Sequence, residues 1–312
     1  GGGGASAIDD LSDAVTTATS NTGLGSGALD SLSASNGNYN TAVGKDALTA
    51  VNTGDYNVGI GYEAGAGLQT GGQNTFLGTL AGGNSGTDAA ANVIIGYQTA
   101  YSSTSLSASV AIGYEAGKFG MKSATNNIAI GHSAMKGHSS NSAGANYNIG
   151  IGSCALEATT TSEYNVAIGG RDTLTANTTG ARNVAIGSFA LMSQDTHSDN
   201  VGIGYMALRL ANSGEYNTAL GNYALVSLTS GTRNIAIGHN ALDVADTESD
   251  NIAIGYEALG GHVRMHLDGV IKGLLQAPAT PHVWEHKCVN ERKFRSLKKK
   301  KAEFGEKDAL QL

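Results

Sequence analysis

The sequence predicts an all-β protein, a parallel β-solenoid of the β-roll type with about fourteen coils of 17 residues. Three observations carry this. A nine-residue phrase, clearest as Asn251-Ile252-Ala253-Ile254-Gly255-Tyr256-Glu257-Ala258-Leu259, begins at Asn21, Asn40, Asn57, Asn74, Asn92, Ser109, Asn127, Asn148, Asn165, Asn183, Asn200, Asn217, Asn234 and Asn251. The starts lie 17 or 18 residues apart, except for 19 after Asn21 and 21 after Asn127, and a fixed short period marks a stacked-repeat architecture. Within the phrase, bulky and small side chains alternate with period two, as in a strand, and the period is too short for two helices and a turn.

Composition sets the boundaries. The 45 glycines fall in register with the repeat rather than in low-complexity runs, apart from the flexible tail of Gly1 to Gly4. Both prolines, Pro278 and Pro281, and the single Trp284 lie beyond Gly261. Residues 262–312 carry net +5 and the rest net −12, which together give the −7 of the chain. Such asymmetry suggests units with different partners. The chain thus reads as a lead-in over 1–20, a solenoid over 21–260 and a tail over 261–312. No apolar run approaches the ~18 residues of a membrane span, so no membrane insertion is expected. Cys154 and Cys288 form no disulfide framework and read as free thiols.

In chain order, residues 7–19 have apolar side chains at Ile8, Leu11, Ala14 and Val15, a spacing that suits a short helix. The coils follow. Positions two and four of the phrase, such as Val184 and Ile186, are mostly β-branched or aliphatic and must share one face, where stacking aligns them into a dry ladder. Position three is small, as at Ala129, Gly150 and Ala253, with Phe76 and Ile94 as exceptions, so something packs closely on the other face. Position five is always Gly, which implies a backbone corner that no Cβ tolerates. The leading Asn also suits a corner, its amide bonded in a ladder along the axis. Asn234, Gly238, Asn251 and Gly255 are therefore structural. Coils connect through turn residues such as Thr53-Gly54-Asp55-Tyr56 and Ser213-Gly214-Glu215-Tyr216. At about 4.8 Å per coil, the stack makes a rod on the order of 65 Å long. Two apolar side chains per coil bury little surface alone, so three chains sharing one core are expected.

The phrase Asn-Ile-Ala-Ile-Gly-x-x-Ala-Leu resembles the head repeat of trimeric autotransporter adhesins. With the longer connection seen at Thr179-Gly180-Ala181-Arg182-Asn183, it is more similar still to repeats of bacteriophage tail fibres. The resemblance covers about residues 21–260. It implies a homotrimer that holds or displays a host-binding surface, with a cell-surface receptor or glycan as partner and a virion or extracellular, cell-surface location. The long repeat after Asn127 and the extra residue after Gly169 are where binding loops would bulge.

Tyrosines recur before the Asn (Tyr39, Tyr56, Tyr147, Tyr164, Tyr216) and after the Gly (Tyr62, Tyr97, Tyr114, Tyr205, Tyr256). Stacked identical positions give a structural ladder; the second set equally gives a stacking surface for glycans. Residues 134–147 are either a tolerated insertion or a receptor loop. Calcium-binding coils would need a repeated Gly-Gly-x-Gly-x-Asp, which is absent, and ice binding a regular threonine array, which position two does not provide.

The tail reads as a small α+β fragment. Its alternation at Met265, Leu267, Gly269 and Ile271 suggests one strand and residues 283–289 a second. Asp268 lies on the first; Glu285 and Lys287 lie two apart, on one face of the second. Two carboxylates on adjacent strands can hold Mg²⁺, and a lysine beside them can orient the attacking water. Asp268-Gly269 followed by Glu285-His286-Lys287 resembles the PD-(D/E)XK nucleases, specifically phage recombination-type exonucleases. That resemblance implies Asp268 and Glu285 as metal ligands and Lys287 as the catalytic lysine. The acidic helix that precedes the motif in that family is missing, as are the later helix and strands. Lys298 to Lys301 would meet DNA phosphates in a nuclease and otherwise form a solvated basic tail. The tail histidines match no common zinc spacing.

Fourteen repeats against half an active site favour a non-enzymatic fibre or adhesin head that needs no cofactor. The alternative is an Mg²⁺-dependent DNA exonuclease with the solenoid as scaffold. Gly260 and the tail are also placed to cap the open edge of the last coil.

Overall fold

The computed structural model describes residues 14–17, 20–32, 37–138 and 144–259. The chain divides into two units, Gly1–Gly260 and Gly261–Leu312, and every described residue belongs to the first. The described residues are all β and turn, in one 15-stranded sheet whose spatial order follows the sequence. The strands are β1 Ala14–Thr17, β2 Asn21–Leu24, β3 Thr41–Val43, β4 Val58–Ile60, β5 Thr75–Leu77, β6 Val93–Ile95, β7 Val110–Ile112 and β8 Ile128–Ile130. They continue as β9 Ile149–Ser153, β10 Val166–Arg171, β11 Val184–Ile186, β12 Val201–Ile203, β13 Thr218–Leu220, β14 Ile235–Ile237 and β15 Ile252–Ile254. From β2 onward each strand pairs in parallel with the next, like position on like position, as in Val184↔Val201 and Ile186↔Ile203. This is the predicted parallel β-solenoid.

The lead-in departs from expectation. Residues 14–17, inside the segment read as a helix, are strand β1, which pairs antiparallel with β2 through Ala14↔Leu24 to Thr17↔Asn21. The first coil presents an unpaired edge, and the β-branched run Val15-Thr16-Thr17 suits a strand better than a helix.

The expected Asn ladder is present. The side-chain oxygen of each ladder Asn accepts the backbone N–H of the next, as from Asn57 to Asn40 at 2.9 Å and from Asn234 to Asn217 at 3.0 Å. In several coils the amide nitrogen donates both to the preceding Asn oxygen and to a carbonyl in its own coil's connecting segment, as Asn57 does to Asn40 Oδ1 and Gly71 O, both at 3.0 Å, and in others, such as Asn40 and Asn183, to the carbonyl alone. These groups are buried, and each finds its partner. The corner glycine turns at φ 122 to 141° in every coil except that of β10.

The two faces of the strand are disposed in a way the alternation alone did not decide. Position three points inward: Ala42, Ala111, Ala129, Ala167, Ala185, Ala219 and Ala236 are fully buried. Opposite them lie the Ala and Leu that close the phrase, such as Ala207 and Leu208, also fully buried. Positions two and four instead point outward and are half-buried to exposed, reaching 45% at Leu220 in the interior coils. The coil is too narrow for a bulky side chain at position three unless the facing residue gives way. Phe76 fits because a Cβ on Gly65 or Gly82 would stand 2.7 or 2.3 Å from its ring. Met121 likewise fills the space a side chain on Gly117 would need.

The residue before each Asn, from Ser20 to Asp250, is in the left-handed region at φ 49 to 66° without being Gly. That conformation costs about 1–2 kcal/mol per residue. Inter-coil bonds offset it, as when Tyr56 N donates to Asn38 O at 2.9 Å and Gln73 N to Asp55 O at 2.9 Å. The shared conformation projects these side chains alike, so equivalent residues stack.

Candidate functional site

The outer surface of the solenoid carries three kinds of feature: an apolar strand face, aromatic rows at the two flanking corners, and a few charged clusters. The strand face holds only Thr, Val, Ile and Leu at positions two and four from β2 to β15, without one charged residue. Leu77 and Leu220 are 42% and 45% exposed, and Ile252 and Ile254 in the last coil 65% and 60%.

Tyr62, Tyr97, Tyr114, Tyr205 and Tyr256 all follow a corner glycine and are exposed, but they do not form one surface. Tyr97, Tyr114 and His132 stack in series with ring centroids 5.4 and 5.3 Å apart, so both faces of Tyr114 are covered. Tyr205 is met edge-on by Phe189 and Tyr223, and His239 links this group to Tyr256, on which it stacks at 5.2 Å. Tyr62 stands apart with Lys45 Nζ 5.7 Å from its ring, and the Glu63 carboxylate beside its hydroxyl raises its pKa. The structure therefore brings together Tyr97 with Tyr114, and Tyr205 with Tyr256 through other rings. Phe189, Tyr223, His132 and His239 were missed. Their signal lay in the position rather than in the residue type, because His132 and His239 occupy the same corner site as the tyrosines and Phe189 and Tyr223 the next one.

The second set also stacks: Tyr39 on Tyr56 at 4.9 Å and Tyr147 on Tyr164 at 5.0 Å. Further along this row, Arg182 pairs with Asp199 and Arg233 with Asp250 at 2.6 to 2.8 Å, two contacts each. The guanidinium in each pair lowers the carboxyl pKa.

Beside the Tyr97 stack, the Glu115 carboxylate lies between Lys118 Nζ and Lys136 Nζ, 2.7 Å from each, and is itself largely shielded. These bonds hold its pKa below the ordinary 4.5. A carboxyl whose pKa is lowered on folding contributes stability that is present above its unfolded value and lost as pH falls through the lowered one. The melting temperature is thus expected to drop on acidification from about pH 4.5 downward, and Glu115→Gln to flatten part of that limb. Melting curves at pH 3 to 7 check this; identical acid limbs in both proteins would contradict it.

The extra residue after Gly169 makes no projecting loop. It is absorbed into β10 as a register shift between Ile168 and Arg171. Of the long repeat, residues 139–143 lie outside the described residues. So do Asp268, Glu285, Lys287, Cys288 and the rest of the tail, and with them the Mg²⁺, DNA and capping expectations. Cys154 is a free thiol whose pKa is raised by burial. Among the described residues no group of three or more His, Cys, Asp or Glu could hold a metal ion, and no helix is long and apolar enough to cross a membrane. Asn234, Gly238, Asn251 and Gly255 sit at the corners: Asn251 N donates to Asn234 Oδ1 at 3.0 Å, and Gly238 and Gly255 turn at φ 132 and 136°.

No protein-family model, curated protein or solved structure matches the chain.

Proposed function

We propose that the chain is a non-enzymatic structural module, part of a fibre or adhesin head, in which three copies close on the outward strand face and display their remaining surface to a host receptor or glycan. The observation that carries this is the uncharged ladder of Thr, Val, Ile and Leu along the whole strand face, partly exposed in the single chain. An apolar strip of this length on a free protein marks an interaction site. Its layout matches interface anatomy, with an apolar centre and a polar, charged rim at the flanking corners. A second and third copy are the occupants, because the strip repeats with the coil period and only an identical rod presents a matching ladder. The resemblance of the repeat to trimeric adhesin heads and tail fibres favours three copies over two. The location that goes with this role is a virion or a cell surface.

Light scattering tests the assembly. The protein is expected at three times its 31.6 kDa chain mass, and Ile186→Lys combined with Ile203→Lys to shift it toward the single-chain mass. A wild-type protein of one chain mass would remove the basis for the proposal, and a dimer would replace three copies by two.

A further inference from the structure

A groove of about 360 Å³ crosses the connecting segments after β3, β4 and β5, and the exposed ring of Tyr56 forms one of its walls. Tyr39 covers one ring face of Tyr56, nearly parallel at 10°. On the other side the equivalent positions are Gln73, Ala91 and Ala108, so the tyrosine stack ends here and a flexible polar side chain followed by two small ones takes the place of further rings, while Tyr56 stays 56% exposed. Gly72 and Ala90 keep the groove free of bulk. The row continues differently after Tyr164, where Arg182 follows, and around Tyr216, which lies between Asp199 and Arg233.

Polar groups surround the ring. Thr53, Asp55, Thr70 and Gln73 all line the groove. The Asp55 carboxylate is anchored through Oδ1, which accepts the Asn38 N–H at 2.6 Å. Thr70 Oγ1 donates to Thr87 O at 3.0 Å, which leaves its lone pairs free to accept. An apolar ring face beside a few convergent hydroxyl, carboxylate and amide groups suits a ligand that is apolar on one face and hydroxylated at its edge. A pyranose ring has that character. The Asp55 charge and the net −12 of residues 1–261 select against an acidic sugar.

We propose that this groove binds a neutral pyranose unit of a glycan, with the sugar C–H face on Tyr56 and its hydroxyls on Asp55, Thr70 and Gln73. The inference rests on the glycan-display reading above and moves its site away from the tyrosines after the corner glycines, two of whose rings are stacked in series. No residue of the strand face lines the groove, so assembly through that face does not require it.

The test uses the full chain in two arms. Capture by immobilised bacterial polysaccharide probes display as such. Saturation-transfer NMR with methyl glucoside, methyl galactoside and methyl N-acetylglucosaminide, and with sialyllactose as the acidic comparison, probes the groove. At least one neutral glycoside is expected to bind in preference to sialyllactose. Tyr56→Ala and Gln73→Ala should weaken it by about tenfold, Tyr56→Phe should bind like the wild type, and Tyr114→Ala should change nothing. An unchanged melting temperature separates these effects from misfolding. Binding or capture that ignores Tyr56→Ala while Tyr56→Phe is normal overturns the groove alone. A wild-type protein that binds neither polysaccharide nor any glycoside overturns the display reading with it.

Discussion

Gly113→Ala is expected to open the stack between β7 and β8. An alanine Cβ there would stand 2.5 Å from the carbonyl oxygen of Gly131 in the next coil, closer than real Cβ atoms come, and the residue sits at φ 134°. Neither the clash nor the backbone strain relaxes locally, because the carbonyl belongs to a backbone held on both sides. A loss of more than about 3 kcal/mol follows from strain and overlap combined. Gly255→Ala serves as the comparison. It has the same kind of φ, 136°, but its Cβ would meet nothing nearer than Ala258 Cβ at 3.7 Å, because no described coil follows it. The difference between the two variants in chemical denaturation isolates the overlap from the conformational strain. Equal losses would show that only the dihedral angle matters.

Asn165→Ala is expected to cost about 3 kcal/mol through the groups it leaves without partners, each worth ~1–3 kcal/mol when buried. Asn165 Oδ1 accepts the Asn183 N–H at 2.9 Å, and its Nδ2 donates to Asn148 Oδ1 at 3.1 Å and Gly180 O at 2.8 Å. Alanine orphans the Asn183 N–H outright and removes one donor from each of the two oxygens. Serine should be milder, because the ladder already contains one. Ser109 Oγ accepts the Asn127 N–H at 3.1 Å, and its own N–H donates to Asn92 Oδ1 at 3.0 Å. The expected order of stability, from urea denaturation, is Asn, then Ser, then Ala. Alanine equal to serine would mean that the side-chain acceptor contributes little.

The repeat phrase specified the coil, its corners and its amide ladder because each depends on one residue type at one position. Gly113 must turn where no Cβ fits, and Asn165 must reach two neighbouring coils at once. The inward face was harder to read, since burial usually favours Ile over Ala. The interior admits only Ala or Gly opposite a Leu, and Ile is left outside. The sequence did hold a clue in Phe76, whose bulk is matched by Gly82 in its own coil and Gly65 in the coil before. The strand at Ala14–Thr17 was hidden for another reason: its β-branched run Val15-Thr16-Thr17 suits a strand, but the partner it pairs with is an edge that only the fold supplies, while the apolar spacing of the wider segment matched a helix. Of the site, the tyrosine rows were visible as spacing. How many ring partners a tyrosine has depends on the neighbouring coils' residues at the same position, so the difference between Tyr56, with one, and Tyr114, with two, appears only when the coils are stacked.

The inter-coil bonds also have a mechanical meaning. They run along the rod, so a pull from end to end loads all the bonds of one junction together instead of opening them in turn. Such a rod resists until a whole junction fails, and the junction with fewest bonds sets the limit. The junctions are not identical: Asn57, Asn74 and Asn92 each add an amide donor to the ladder oxygen of the coil before, whereas the amides of Asn183 and Asn200 donate to connecting-segment carbonyls instead and Ser109 has no amide. A tether built from this chain would therefore fail one whole junction at a time rather than one bond at a time.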